Sequence, residues 1–321
     1  MRHPTSPRHS ALLATLGMLG LLAGLPPARA ATEPTPPAGQ SEEAFRAETQ
    51  AWQRRRIERL TAADGWLTLV GLDWLEPGEN LFGSAADNRV VLRGDGIPPV
   101  AGSLVLENGH LNARILAPGS LTVDGRTIGD IELKDDLQDE PTVLQLGTVS
   151  IQVVKRSERW AARIKDSASP VRTGFKGLEW FEADPRFRVE ATLVPAPPGK
   201  TLPITNILGF IEQQPTPGAL EFDLLGQHCR VEPIQEDDSG DLFLMIADGT
   251  SGKETYGAGR YIVVNRSAES GKWVIDFNHA YNPPCAFTAF ATCPLPPKGN
   301  RLPLRVTAGE RRYAGDQAAA P

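Results

Sequence analysis

Two dipeptides constrain this chain more than any other feature. Asn108-Gly109 and Asp124-Gly125 each stand between two short strand-like runs, in "GSLVLENGHLNARIL" and "GSLTVDGRTI". A two-residue type I′ turn needs positive φ at both central positions, which glycine adopts freely and Asn or Asp tolerates, so each dipeptide predicts an antiparallel hairpin. With 31 glycines and 28 prolines in 321 residues, such punctuation continues along most of the chain. Runs such as "FRVEATLV", "GALEFDLL", "DLFLMIADG", "GRYIVVNR" and "KWVIDFN" follow one another without an intervening helical period. The pattern predicts an all-β fold of two β-sandwich or barrel-like domains.

A short amphipathic helix precedes them over 41–64, where Ser41 can cap and Phe45, Trp52 and Leu60 recur at near-helical spacing. Arg54-Arg55-Arg56 is read as its solvated face. A small sandwich is expected over 65–150, a second β domain over 151–313 and a tail over 314–321. In "TVSIQVVKRSERWAARIKD", alternation puts Ile151, Val153, Trp160, Ala162 and Ile164 on inward faces.

Residues 1–30 carry Arg2 and Arg8, then the apolar "ALLATLGMLGLLAGL", then Ala28-Arg29-Ala30. This is the pattern of a secretory signal peptide cleaved after Ala30, with 31–40 as a proline-rich linker, and it predicts a periplasmic or secreted protein. No later segment approaches the length of a membrane span. The net charge of −6 provides no field for nucleic acid. Of the three cysteines, Cys285 and Cys293 are closest in sequence, and an oxidising compartment favours their pairing, with Cys229 left over. Two alternatives stand beside the disulfide: Cys285 as a nucleophile, and a zinc site from His279, Cys285 and Cys293.

The densest polar region joins "ADGTSGKETYGAGRY" to "DFNHAYNPPC". If the strands around it pair as hairpins, Thr250, Thr255, Tyr256, Arg260, Asp276, Asn278, Tyr281 and Asn282 gather at one end of a sheet, where a small polar or anionic ligand could bind. The structural reading of the same residues is a salt bridge from Arg260 to Asp276 or Glu254, and Asx residues bonding their own turns. A hydrolase would draw on Asp276, His279 or Cys285, and a structural role in the envelope is a third possibility. Phosphate-loop, dinucleotide, zinc-protease and serine-elbow motifs are missing, so no cofactor or metal is predicted. The acidic run Glu236-Asp237-Asp238 lacks the glycine and glutamate of a calcium loop.

Two resemblances follow from these residues. "GWLTLVGLDWLEPGENLFGS", "WFEADPRFRVEATLVP", "ADGTSGKETYGAGRY" and above all the Tyr-Asn-Pro-Pro-Cys-Ala-Phe run resemble the family called domain of unknown function 1684, over roughly residues 45–312. That resemblance implies domain extent and no activity. "FGSAADNRVVL" and "SLTVDGRTI" resemble a forkhead-associated-like β-sandwich. Ser84 follows Gly83 where a phosphopeptide reader carries arginine, so the resemblance implies scaffold alone.

Overall fold

The computed structural model describes residues 41–235, 240–268 and 270–315. The expected signal peptide, linker and acidic run 236–238, and most of the tail, lie outside the described residues. Among the described residues, no helix is long and apolar enough to cross a membrane.

The fold is mostly strand, and its hairpins form where the turn chemistry puts them. Asn108 and Gly109 have φ of 52° and 79°, Asp124 and Gly125 50° and 74°, and the flanking residues pair as Glu107↔His110 and Val123↔Arg126. Two sheets face each other in the first half. One has five strands, in the order Val90–Val91, Gly78–Gly83, Gly102–Glu107, His110–Ile115 and Ile131–Glu132. The other has six, in the order Leu69–Trp74, Arg159–Asp166, Val149–Arg156, Val143–Leu146, Thr122–Val123 and Arg126–Thr127. Phe82, Leu104 and Leu111 from the first meet Leu144, Ile151, Val153, Ala162 and Ile164 from the second in one core.

The predicted inward faces of 151–164 are therefore correct, but the strands serve a different core from the one expected. Residues 161–165 of strand 159–166 pair with 69–74, and Ala162 and Ile164 join the core of the sandwich, which therefore continues beyond residue 150. The physical reason is that strand 69–74 brings Gly71 against Ile164, and only the hairpin 149–166 completes the sheet that covers the five-stranded layer.

The second half is a six-stranded sheet ordered Gln227–Val231, Gly218–Leu224, Arg188–Pro195, Trp273–Asp276, Arg260–Arg266 and Leu242–Ile246. Its two ends meet, because Ile234 and Phe243 exchange both backbone bonds at 2.9 Å. This bridge draws the ends of the sheet together into a barrel-like closure. Leu220, Phe222, Leu244, Ile262, Val264 and Ile275 fill it. A two-stranded ribbon, Thr201–Thr205 with Ile211–Pro215, packs outside through Leu202 and Ile204 on Met245 and Tyr261.

Residues 306–310 seal one mouth of the barrel by way of Arg260, the first residue of its strand. This guanidinium is fully buried, and it donates to the carbonyls of Val306 (2.9 Å), Ala308 and Glu310 (3.3 Å) and to Asp248 Oδ2 (3.0 Å). Backbone approaches so closely here that glycine is required: a Cβ on Gly309, at φ 79°, would collide with the Ala280 carbonyl, and one on Gly259, at φ 103°, with that of Ile246. The two halves of the chain are joined by the loop that the Cys285–Cys293 disulfide closes. Cys293 and Ala291 pack on Leu69, Thr288 donates to the Leu69 carbonyl (3.3 Å), and Arg156 donates to Thr292 (2.9 Å). The disulfide removes the nucleophile and zinc readings of Cys285, since both need a thiolate.

Thiol titration under denaturing conditions should count one reactive thiol, from Cys229, before reduction and three afterwards. Arg260→Met should cost about 3–5 kcal/mol in denaturant unfolding, because it strands a buried carboxylate. Arg260→Met combined with Asp248→Asn should cost clearly less than the sum of the single changes.

Candidate functional site

Helix Glu42–Thr61 forms because Ser41 accepts from the Ala44 amide (3.1 Å) and one stripe of its surface is covered. That stripe contains Phe45, Glu48, Trp52, Arg56 and Leu60, three or four residues apart. Phe45, Arg56 and Leu60 are buried while Arg54 and Arg55 are exposed, so the solvated-face reading of the arginine run fails at Arg56. Arg56 falls on the covered stripe, where its Nε donates to Glu310 Oε1 (2.8 Å), its Nη2 donates to the Asn282 carbonyl (3.0 Å), and its guanidinium lies 4.8 Å from the centre of the Tyr281 ring.

The same stripe lies over the turn that follows strand 273–276. Asp276 caps this turn, accepting from the Asn278 amide and side chain (both 2.9 Å) and from Arg188 Nε (2.7 Å). Arg188 in turn holds both carboxylate oxygens of Glu48, at 2.9 and 3.0 Å. Its positive charge is thereby held more firmly than burial alone would allow, through Glu48 and Asp276. The His279 ring stacks on Trp52, with centroids 4.5 Å apart and planes 8° from parallel. Trp52 also meets Trp180 edge-on at 5.7 Å and Tyr281 at 6.5 Å. All four rings are half-buried. His279 Nε2 is enclosed without a hydrogen bond and stands 3.7 Å from Asp276 Oδ2. Burial pushes the imidazole pKa below its ordinary 6.5, against the pull of Asp276.

The residues that sequence singled out fall into two groups. Thr250, Thr255, Arg260, Asp276, Asn278 and Asn282 are buried and bonded within the chain. Asp248 Oδ1 accepts from the Thr250 amide (2.7 Å) and hydroxyl (2.6 Å), and that hydroxyl lies 2.9 Å from that of Thr255. Asn278 bonds both backbone groups of Asp184 (2.9 and 3.0 Å). Asn282 bonds Glu310 through its amide (2.7 Å) and Arg311 through its side chain (2.8 Å). The expected Arg260 salt bridge exists with a different partner, Asp248. Asp276 is taken by Arg188, and Glu254 by Arg305. The other group is Tyr256, Tyr281 and His279, which are half-buried. Tyr256 donates to the Cys285 carbonyl (3.1 Å), and burial raises its phenol pKa. Pro283 is extended, with φ −65° and ψ 163°, and leads into a short 3-10 turn over Pro284–Ala286.

Sequence reasoning missed the parts played by Glu48, Arg56, Trp180, Arg188 and Glu310, and it did not pair Asp248 with Arg260. Only the helical pair carried a local signal: Glu48 and Arg56 stand four residues either side of Trp52. Among the described residues, no group of His, Cys, Asp and Glu is arranged to hold a metal ion.

No curated protein matches this chain. Among solved structures, the uncharacterized protein from gene locus rrnAC0354 of Haloarcula marismortui is 34% identical, covering 44% of this chain and 78% of its own, with a TM-score of 0.36. The FhaA FHA domain complexed with the intracellular domain of Rv3910 is 16% identical over 29% of this chain and 96% of its own, with a TM-score of 0.21. The Rv0020c FHA structure is 17% identical over 29% and 89%, with the same TM-score. Residues 173–311, which take in the barrel and the segment that seals it, match the family described as protein of unknown function (DUF1684).

Proposed function

We propose that this protein is exported to the periplasm or beyond the cell and binds a small polar or anionic ligand without chemically altering it. The ligand is held where the amino-terminal helix crosses residues 276–282. One observation carries the reading: Trp52, Trp180, His279 and Tyr281 form one half-buried ring cluster beside the exposed Arg55 and the Glu48 carboxylate. Partly exposed aromatic rings with polar edges offer stacking area and hydrogen bonds at small entropic cost, as recognition surfaces require. Catalysis is disfavoured because Asp276 already accepts three hydrogen bonds, Cys285 is in a disulfide and His279 Nε2 is enclosed.

Tryptophan fluorescence and thermal shift against small sugars, carboxylates and phosphate esters test the reading. A hit should perturb both signals, and His279→Ala or Trp180→Phe should weaken it at least tenfold. Turnover of an ester, amide, phosphoester or glycoside that is lost in His279→Phe would overturn it in favour of hydrolysis.

The histidine also predicts a pH dependence. Its pKa in the folded protein is below the unfolded value near 6.5, so the unfolded chain binds the proton more readily. The stability due to neutral His279 is complete above about pH 6.5 and falls as pH drops below that value. Between pH 7.5 and 5, denaturant unfolding should show a larger loss for the wild type than for His279→Phe, which keeps the stack on Trp52 but cannot titrate.

A further inference from the structure

The first sandwich has an outward face that neither the family match nor the ring cluster accounts for. Alternation along strand 159–166 sends Ala162 and Ile164 into the core and therefore Arg163 and Lys165 outward. The register sets Gln152 directly across from Arg163 on one side and Leu72 on the other. Arg156 shares the face, two residues beyond Val154 on the neighbouring strand.

Arg163 is the anomaly there. Its side chain is only 11% exposed, yet its Nε is enclosed with no hydrogen-bond partner. The carboxylate oxygen it faces, Asp136 Oδ2, is 4.0 Å from Nη1 and is already engaged by Arg156 at 2.8 Å. The other oxygen of Asp136 accepts from the Lys155 amide (2.9 Å). Arg156 spends its Nε on Thr292 (2.9 Å) and its Nη1 also on the Lys155 carbonyl (2.5 Å). Lys165 donates to the Asp64 carbonyl (2.7 Å), with the Asp64 carboxylate offsetting part of its charge.

Proteins rarely bury a guanidinium without acceptors, because its hydration is lost with nothing in return. Arg260, more deeply buried and likewise without a partner at Nε, donates through its other two nitrogens to three carbonyls and a carboxylate. Arg163 has a shared carboxylate at the limit of an ion pair. We propose that Arg163 and Arg156, with the Gln152 amide beside them, form a binding site for a small oxyanion: phosphate, or the phosphate or carboxylate group of a small molecule. Such a group presents two or more acceptor oxygens to the planar fork of the guanidinium and neutralises the excess positive charge. Burial, reinforced by repulsion from Arg156, brings the Arg163 pKa down to about 10, and a bound anion would reverse that shift. This site is separate from the ring cluster and stands whether or not that cluster binds a ligand.

Inorganic phosphate and acetate, each titrated into the mature protein against chloride at equal ionic strength, distinguish a tetrahedral from a planar anion. Phosphate, acetate or both should shift the Arg163 Nε–Hε NMR resonance saturably and raise Tm above the chloride control. Arg163→Met should weaken that effect at least tenfold while melting no lower than wild type in chloride, since it removes an uncompensated charge. No effect beyond chloride for either anion, or an undiminished effect in Arg163→Met, would overturn the proposal. If Arg163→Met fails to fold, the wild-type resonance decides, assigned through Arg163→Lys.

Discussion

The carboxy-terminal segment 306–310 passes between two buried guanidiniums, and the barrel and the helix beside it are organised around that passage. Arg260 takes the backbone carbonyls of Val306, Ala308 and Glu310, and Arg56 takes the Glu310 side chain. One arginine comes from the barrel and the other from the amino-terminal helix, so a single extended segment ties helix to barrel. Glu310 is fully buried, and burial raises its pKa even with Arg56 at 2.8 Å. Burying such charges costs several kcal/mol per ion and is repaid only when the geometry is good and further hydrogen bonds take up most of the remaining donors and acceptors. The matching uses backbone carbonyls as well as carboxylates, which an apolar replacement could not cap. These pairs therefore specify where the segment lies as much as they stabilise it.

That arrangement explains why a polar-rich stretch at a strand end resembles an active site in sequence. Asp248, Thr250, Thr255 and Arg260 are chemically what a catalyst needs, and Asp276 with Asn278 are what a base and its orienter need. In the structure the first four make an Asx-type loop whose carboxylate also pins Arg260 and the Val306 amide (3.2 Å). The last two cap a turn and hold Asp184. A barrel mouth sealed by irregular backbone has many amides and carbonyls outside any ladder, and buried side chains must satisfy them. Polar density there follows from closing the barrel.

The features legible in sequence were those decided within a few residues. Asn108-Gly109 and Asp124-Gly125 place their hairpins because positive φ is a property of the dipeptide, and Ser41 caps its helix because the donor is three residues away. The pairing of Cys285 with Cys293 was suggested by proximity and compartment. What escaped reading depends on distant partners: Arg56 meets a glutamate 254 positions later, and Arg188 meets residues 140 before and 88 after it. The barrel closure at Ile234 and Phe243 is a single bridge beyond Pro233, and the 201–215 ribbon contains Pro203 and Pro215, so neither carries a clean alternating signal.

Arg260 and Arg163 show what finally separates a structural charge from a candidate site. Sequence sets Arg260 beside glycines and tyrosines in a loop and Arg163 in an ordinary strand, so pattern alone favours the first. Hydrogen-bond accounting reverses the order. Both arginines have an enclosed Nε without a partner, but the other two nitrogens of Arg260 donate to three carbonyls and a carboxylate, whereas those of Arg163 have half of a shared ion pair. A satisfied buried charge has its acceptors within the chain and gains little from a ligand. An unsatisfied one retains the desolvation cost of folding, and any anion that supplies the missing acceptors binds with that cost already met by the fold.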